Sequence, residues 1–162
     1  ILNGEFIMYK YFLAITFALI GNSTFAKSAE AIFLDMAVAD NVGAIYVFDE
    51  EDDPNKQLGR PNQYVSKISW ADKRIDPHDF SEENEDEIND LDPTEYKGGT
   101  IEEFKNVSDL NRRYTYIKNI TLNAPMLNQY MYKKGLFLMR LDKDFTPSQA
   151  KKYEKEFNLV VK

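Results

Sequence analysis

Apolar and polar positions along the chain fall into two periods, and each period marks out its own elements. Alternation predicts strands over 44–48, 63–71, 99–104 and 128–133. The turn Lys133-Lys134-Gly135 and the run from Leu136 to Leu141 then close a hairpin. Helical spacing takes over at 108–122, where Val107, Leu110, Tyr114, Ile117 and Ile120 recur at three- and four-residue steps and form one stripe. Ser108 stands where a cap is needed, and Pro125 forbids continuation. The last helix is marked by a capping box: Thr146 as cap, Pro147 in the first turn, Gln149 three residues after the cap. Its buried stripe is Ala150, Tyr153 and Phe157. Asp49, followed by acids from Glu50 to Asp53, predicts a short helix over 50–58, because carboxylates suit the positive end of a helix. Ile32, Phe33, Met36 and Ala39 predict another near the start.

Two stretches echo one another. Gly43-Ala-Ile-Tyr-Val-Phe48 and Gly99-Thr-Ile-Glu-Glu-Phe104 share Gly-x-Ile-x-x-Phe, and Asn62-Gln-Tyr64 and Asn128-Gln-Tyr130 open the strand that follows each. Landmarks in the same order predict two βαβ units. The expected fold is α+β, a ferredoxin-like βαββαβ sandwich with an extra hairpin strand and a C-terminal helix. The connection between the second and third strands departs from this pattern. From Asp76 to Glu95 it holds ten acids and no Lys or Arg, with Pro77 and Pro93 and few apolar residues. Such a block predicts an acidic loop insert, 76–95, solvated or only transiently helical. It does not spell a calcium loop: Asp79 to Asp90 lacks the glycine needed at the sixth position.

The beginning of the chain has another character. Met8-Tyr-Lys-Tyr carries one positive charge, Phe12 to Ile20 is an apolar run, and Thr24 and Ala26 set small residues two positions apart. This is the pattern of a secretory signal peptide over residues 8–26, cut after Ala26. The run is too short to cross ~30 Å of hydrocarbon at 1.5 Å per residue. Residues 1–7 stand ahead of Met8 as upstream sequence. The expected mature chain, 27–162, is then a single α+β domain, periplasmic or secreted. No Cys follows the apolar run to take a lipid, so no membrane anchor is expected after cleavage.

Charge and composition narrow the function classes. Lys and Arg number 20 against 27 Asp and Glu, a net charge of −7, with one His and no Cys. A chain this acidic is a poor match for phosphate backbones, so no nucleic-acid partner is expected. Thiolate zinc sites, iron–sulfur clusters, disulfides and thiol nucleophiles are all excluded. No phosphate loop, dinucleotide fingerprint, nucleophile elbow or paired-histidine zinc motif occurs. The lone His78 lies between Asp76 and Asp79 and reads as an exposed loop histidine with a carboxylate neighbour. Neither a cofactor nor a metal is expected, and no catalytic residue is assigned.

What stands out are cations and aromatics in strands. Arg60, Lys67, Arg74 and Arg140, with Tyr64, Trp70, Tyr130 and Tyr132, predict an aromatic and basic face that would take an anion, glycan or peptide of the envelope. Arg140 is expected on a solvated or half-exposed side of its strand. Leu58-Gly-Arg-Pro-Asn-Gln-Tyr-Val-Ser-Lys67, Gly98-Gly-Thr-Ile-Glu-Glu-Phe104, the run Tyr130 to Leu141 and Thr146-Pro-Ser-Gln-Ala-Lys-Lys-Tyr153 resemble the blocks of an uncharacterised family of small exported bacterial proteins and lipoproteins. The resemblance implies a bacterial, extracytoplasmic protein and brings no activity or catalytic residue with it. The expected function is a non-enzymatic binding or interaction module. The alternatives are a small carboxylate-dependent envelope hydrolase, or a peptidase inhibitor or propeptide-like chaperone.

Overall fold

The computed structural model describes residues 27–162, in which five strands pair into one antiparallel sheet. They are β1 (Val42–Val47), β2 (Tyr64–Asp72), β3 (Gly98–Phe104), β4 (Gln129–Lys134) and β5 (Phe137–Asp142), and their spatial order is β1-β2-β3-β5-β4. Four helices accompany them: α1 (Ala29–Asp35), α2 (Glu85–Asp90), α3 (Val107–Asn123) and α4 (Pro147–Val160). The architecture is α+β. Residues 1–7 and the signal peptide read at 8–26 lie outside the described residues. Among the described residues no helix is long and apolar enough to cross a membrane.

Register decides which side chains share a face, because successive residues of a strand point to opposite sides. Ile68, Ile101 and Met139 form one row across β2, β3 and β5, and Trp70, Gly99 and Leu141 form the next. This side is covered by α1 and α4. Ile32 and Phe33 from α1 and Ala150, Tyr153 and Phe157 from α4 complete its core. The other side carries the rows Lys67, Glu102, Leu138 and Ser69, Thr100, Arg140. Leu110 and Ile117 of α3 pack there with Phe48, Tyr64, Phe104 and Leu138.

A β-bulge supplies one member of that second core. Tyr64 pairs with Phe104 but Ser66 pairs with Glu103, so β2 spends one residue more than β3, at Val65. The extra residue flips the alternation. Ser66 accepts from the Ala29 amide on the α1 side, while Tyr64 lies fully buried under α3.

The ferredoxin-like arrangement is not confirmed, and the difference lies in the first half of the chain. β1 and β2 are adjacent and antiparallel, joined by a loop with no helix over 50–58. The acids expected to start that helix organise the loop instead. Asp49 accepts the amides of Glu51 and Asp52, and Asp53 accepts those of Gln57 and Leu58. Short polar side chains offer the backbone this alternative to helix. Lys56 and Asn62 take positive φ, as does Gly59 at +76°, which closes the helical route. The second half does hold a βαβ unit: β3 and β4 run parallel, joined by α3, with β5 inserted between them.

Helix ends follow the sequence in part. Thr146 and Gln149 make the reciprocal capping box of α4. For α3 the cap is Asn106, whose side chain accepts from the Asp109 amide, and not Ser108. The α3 stripe is narrower than its periodicity: Leu110 and Ile117 are buried, while Val107 is 54% exposed and Ile120 36%. The acidic insert lies between β2 and β3 as expected and contains α2. Its entry is tied down. Asp76, 6% exposed, bonds the His78 ring at 2.7 Å with one oxygen and accepts the Lys97 amide at 2.7 Å with the other.

Candidate binding site

The single aromatic and basic face expected from sequence is split between the two sides of the sheet. Trp70 is fully buried on the α1/α4 side, its ring centroid 4.5 Å from that of Phe33. Tyr130 and Tyr132 are half-buried on that same side, and the Tyr130 hydroxyl donates to the Phe145 carbonyl at 3.1 Å. Arg74 is spent on Asp72, through Nε at 2.8 Å and Nη2 at 2.6 Å. Arg60 is exposed in the loop between β1 and β2. Only Tyr64, Lys67 and Arg140 come together, on the α3 side. The cause is alternation of side chains along β2, combined with the extra residue at Val65.

On that side the three meet partners that sequence reasoning missed. Lys67 Nζ reaches Asp53 Oδ1 at 2.8 Å, with the amine 4.1 Å from the centre of the Phe48 ring. Asp53 Oδ2 accepts the Tyr64 hydroxyl at 2.7 Å together with the two loop amides. One row over, Glu102 is fully buried and held by two guanidiniums. Arg113 of α3 grips both its oxygens, at 2.9 and 3.2 Å, and Arg140 Nη2 bonds Oε1 at 3.1 Å. Arg140, expected on a solvated or half-exposed side, is 18% exposed and has its guanidinium bonded to a buried carboxylate. The usable signal was period two. Lys67 and Ser69 share a face of β2, and Thr100 and Glu102 share a face of β3.

Burial and pairing set the charges. Burial alone would push the Asp53 carboxyl up, but the Lys67 amine, the Gln57 amide and the Tyr64 hydroxyl outweigh it and hold it far below the carboxylate range. Glu102 behaves alike: burial opposes ionisation, and Arg140 and Arg113 overcome it. Burial and the bond to Asp53 drive the Tyr64 phenol well above its ordinary value. Both carboxylates thus stay ionised and fully engaged. Asp72 is lowered too, burial being outweighed by Arg74 and Tyr153. Groups whose carboxyl ionises lower in the folded chain stabilise it above their unfolded value near pH 4, and that contribution is lost as pH falls through the folded value. The urea midpoint should accordingly fall between about pH 5 and pH 2. A midpoint unchanged to pH 3 would mean these carboxylates are not paired as described.

Beside these pairs lies a cleft of about 640 Å³, within the range of small-molecule sites. Its floor includes Lys67, Ser69, Thr100 and Arg140, and its wall is α3 and the turn after it. Among the described residues, three floor atoms are buried without a hydrogen-bond partner: Ser69 Oγ, Thr100 Oγ1 and Arg140 Nε. They belong to one cross-strand row, Ser69 opposite Thr100 and Thr100 opposite Arg140. Among the described residues no group of three or more His, Asp or Glu is placed to hold a metal ion.

Removing Arg140 leaves Glu102 in the two-point grip of Arg113. Arg140→Ala should therefore cost about 1.5–3 kcal/mol, the worth of a charged hydrogen bond. Denaturant unfolding checks this, and a change under about 0.5 kcal/mol would place the guanidinium in solvent. Comparison with protein-family models, curated proteins and solved structures found no match to the chain.

Proposed function

We propose that this chain is an exported, non-enzymatic binding protein of the bacterial envelope, with its ligand seated in the cleft between the sheet and α3. The observation that supports this is the row of three unpartnered polar atoms on the cleft floor. A buried polar group without a partner costs about 1–3 kcal/mol, and a ligand that supplies the partner removes that cost. Export rests on the leader pattern at residues 8–26. Hydrolysis by a carboxylate pair finds no support here. Asp53 and Glu102 are ionised and have every oxygen engaged, whereas a glycosidase needs one protonated acid and one free carboxylate. The inhibitor or chaperone reading rested on a ferredoxin-like sandwich, which the strand order does not supply.

Native mass spectrometry tests the reading. The purified chain, incubated with a small-molecule extract of bacterial envelope and desalted, should retain an added mass. Ile120→Trp, which fills the mouth of the cleft, should lose it while keeping its circular dichroism. A mass retained equally by the variant would move the ligand elsewhere, and no retained mass would remove the cleft as a binding site.

A further inference from the structure

The chemistry of the cleft floor narrows what the ligand carries. All three unpartnered atoms offer hydrogens: two hydroxyls and the Nε–H of a guanidinium. The matching group is an acceptor with several lone pairs. Charge points the same way. Lys67, Arg113, Arg140 and Lys143 line the cleft with Asp142, and Asp53 and Glu102 stand behind it as partners of the first three. Four cations face three carboxylates, which leaves one positive charge in excess. A single negative charge balances it.

The wall opposite is apolar. Tyr116, Ile117, Ile120, Met126 and Leu127 line it, and Met126 and Tyr116 are 72% and 58% exposed. A ligand with a charged end and an apolar body would cover both surfaces at once. Resting on the binding role proposed above, we infer that the cleft takes a small monocarboxylate with an apolar tail, its carboxylate on Ser69, Thr100 and Arg140 and its tail along α3. Entry requires the Arg140 guanidinium to lift slightly. A turn of the guanidinium about its Nη2 bond to Glu102, at 3.1 Å, gives up only the longer bond to Gln129, at 3.4 Å.

Titration calorimetry with octanoate, octanol and inorganic phosphate tests the inference. Octanoate should bind, and octanol, which keeps the tail and loses the charge, should bind at least about tenfold more weakly, as expected for loss of a charge-assisted contact. Phosphate, which lacks the tail, should bind more weakly than octanoate. The double variant Ser69→Ala, Thr100→Val deletes both hydroxyls at nearly constant shape. It should lose at least about tenfold in octanoate affinity and melt no lower than the parent, because unpaired hydroxyls add nothing to the empty fold. Octanol binding as well as octanoate would overturn the carboxylate and leave the cleft reading intact. Phosphate binding more tightly would replace the monocarboxylate by a tail-less oxyanion. Undiminished octanoate binding by the double variant would remove the row as the contact. Absence of octanoate binding, with the extract-derived mass still lost in Ile120→Trp, would overturn this inference alone.

Discussion

Glu102→Gln should destabilise the fold by about 3–5 kcal/mol, the cost of breaking a buried ion pair by removing one partner. Glu102 has no exposed surface, and its two oxygens hold the guanidiniums of Arg113 and Arg140 between sheet and helix. A neutral amide leaves two positive charges facing each other with no anion between them. Urea unfolding followed by the single tryptophan gives the number. The control is the next residue along β3. Glu103 points to the opposite side, in line with Ser66 and Phe137, and burial alone pushes its carboxyl up. Its charge is thus a burden, and Glu103→Gln should be neutral or slightly stabilising. Equal losses at both positions would mean that the ion triad contributes nothing particular.

Trp70→Ala should cost a similar amount, about 3–5 kcal/mol, for a different reason. Its indole lies between the Phe33 and Tyr153 rings and donates to the Tyr153 hydroxyl at 3.2 Å, which in turn donates to Asp72 at 2.7 Å. Gly99 makes the room: a Cβ there would stand 2.5 Å from the indole. Truncation opens a cavity between α1, α4 and the sheet that rigid strands cannot close. Since the variant has no tryptophan, its unfolding is followed by circular dichroism. The converse substitution, Gly99→Ala, overpacks the same place and should cost about 1–3 kcal/mol. If both variants were as stable as the parent, the indole would not be the centre of this core.

Glu102 and Glu103 also show where sequence reading reached its end. The strands, α4 with its capping box, α3 and the place of the acidic insert were legible, because each depends on local periodicity and local caps. The side on which a residue falls depends on register, and one extra residue at Val65 was enough to move Tyr64 across the sheet. The loop after β1 misled for a related reason. Acids at a helix start and acids that cradle backbone amides look the same until the buried Lys67 claims Asp53. The floor of the cleft comes from β2, β3 and β5 and its wall from α3 and the turn after it, and no local pattern ties Ser69 to Thr100 or Arg140.

The tethering of the acidic insert has a consequence for how copies of the chain meet. β1 is an outer strand with an open edge, and open edges invite a second chain to add a strand. The Phe80 ring packs against Gly43 of that strand, where any Cβ would stand 2.4 Å from the ring. It thereby anchors the insert near one of the two rims, β1 and β4, at which another strand could add. A second molecule approaching edge to edge brings an equally acidic segment of its own, and the two repel. Salt screens such repulsion, over about 10 Å at 0.1 M and about 3 Å at 1 M. Colloidal stability should therefore decline with ionic strength, and shortening the insert should make the chain aggregate sooner, even where its thermal midpoint is unchanged.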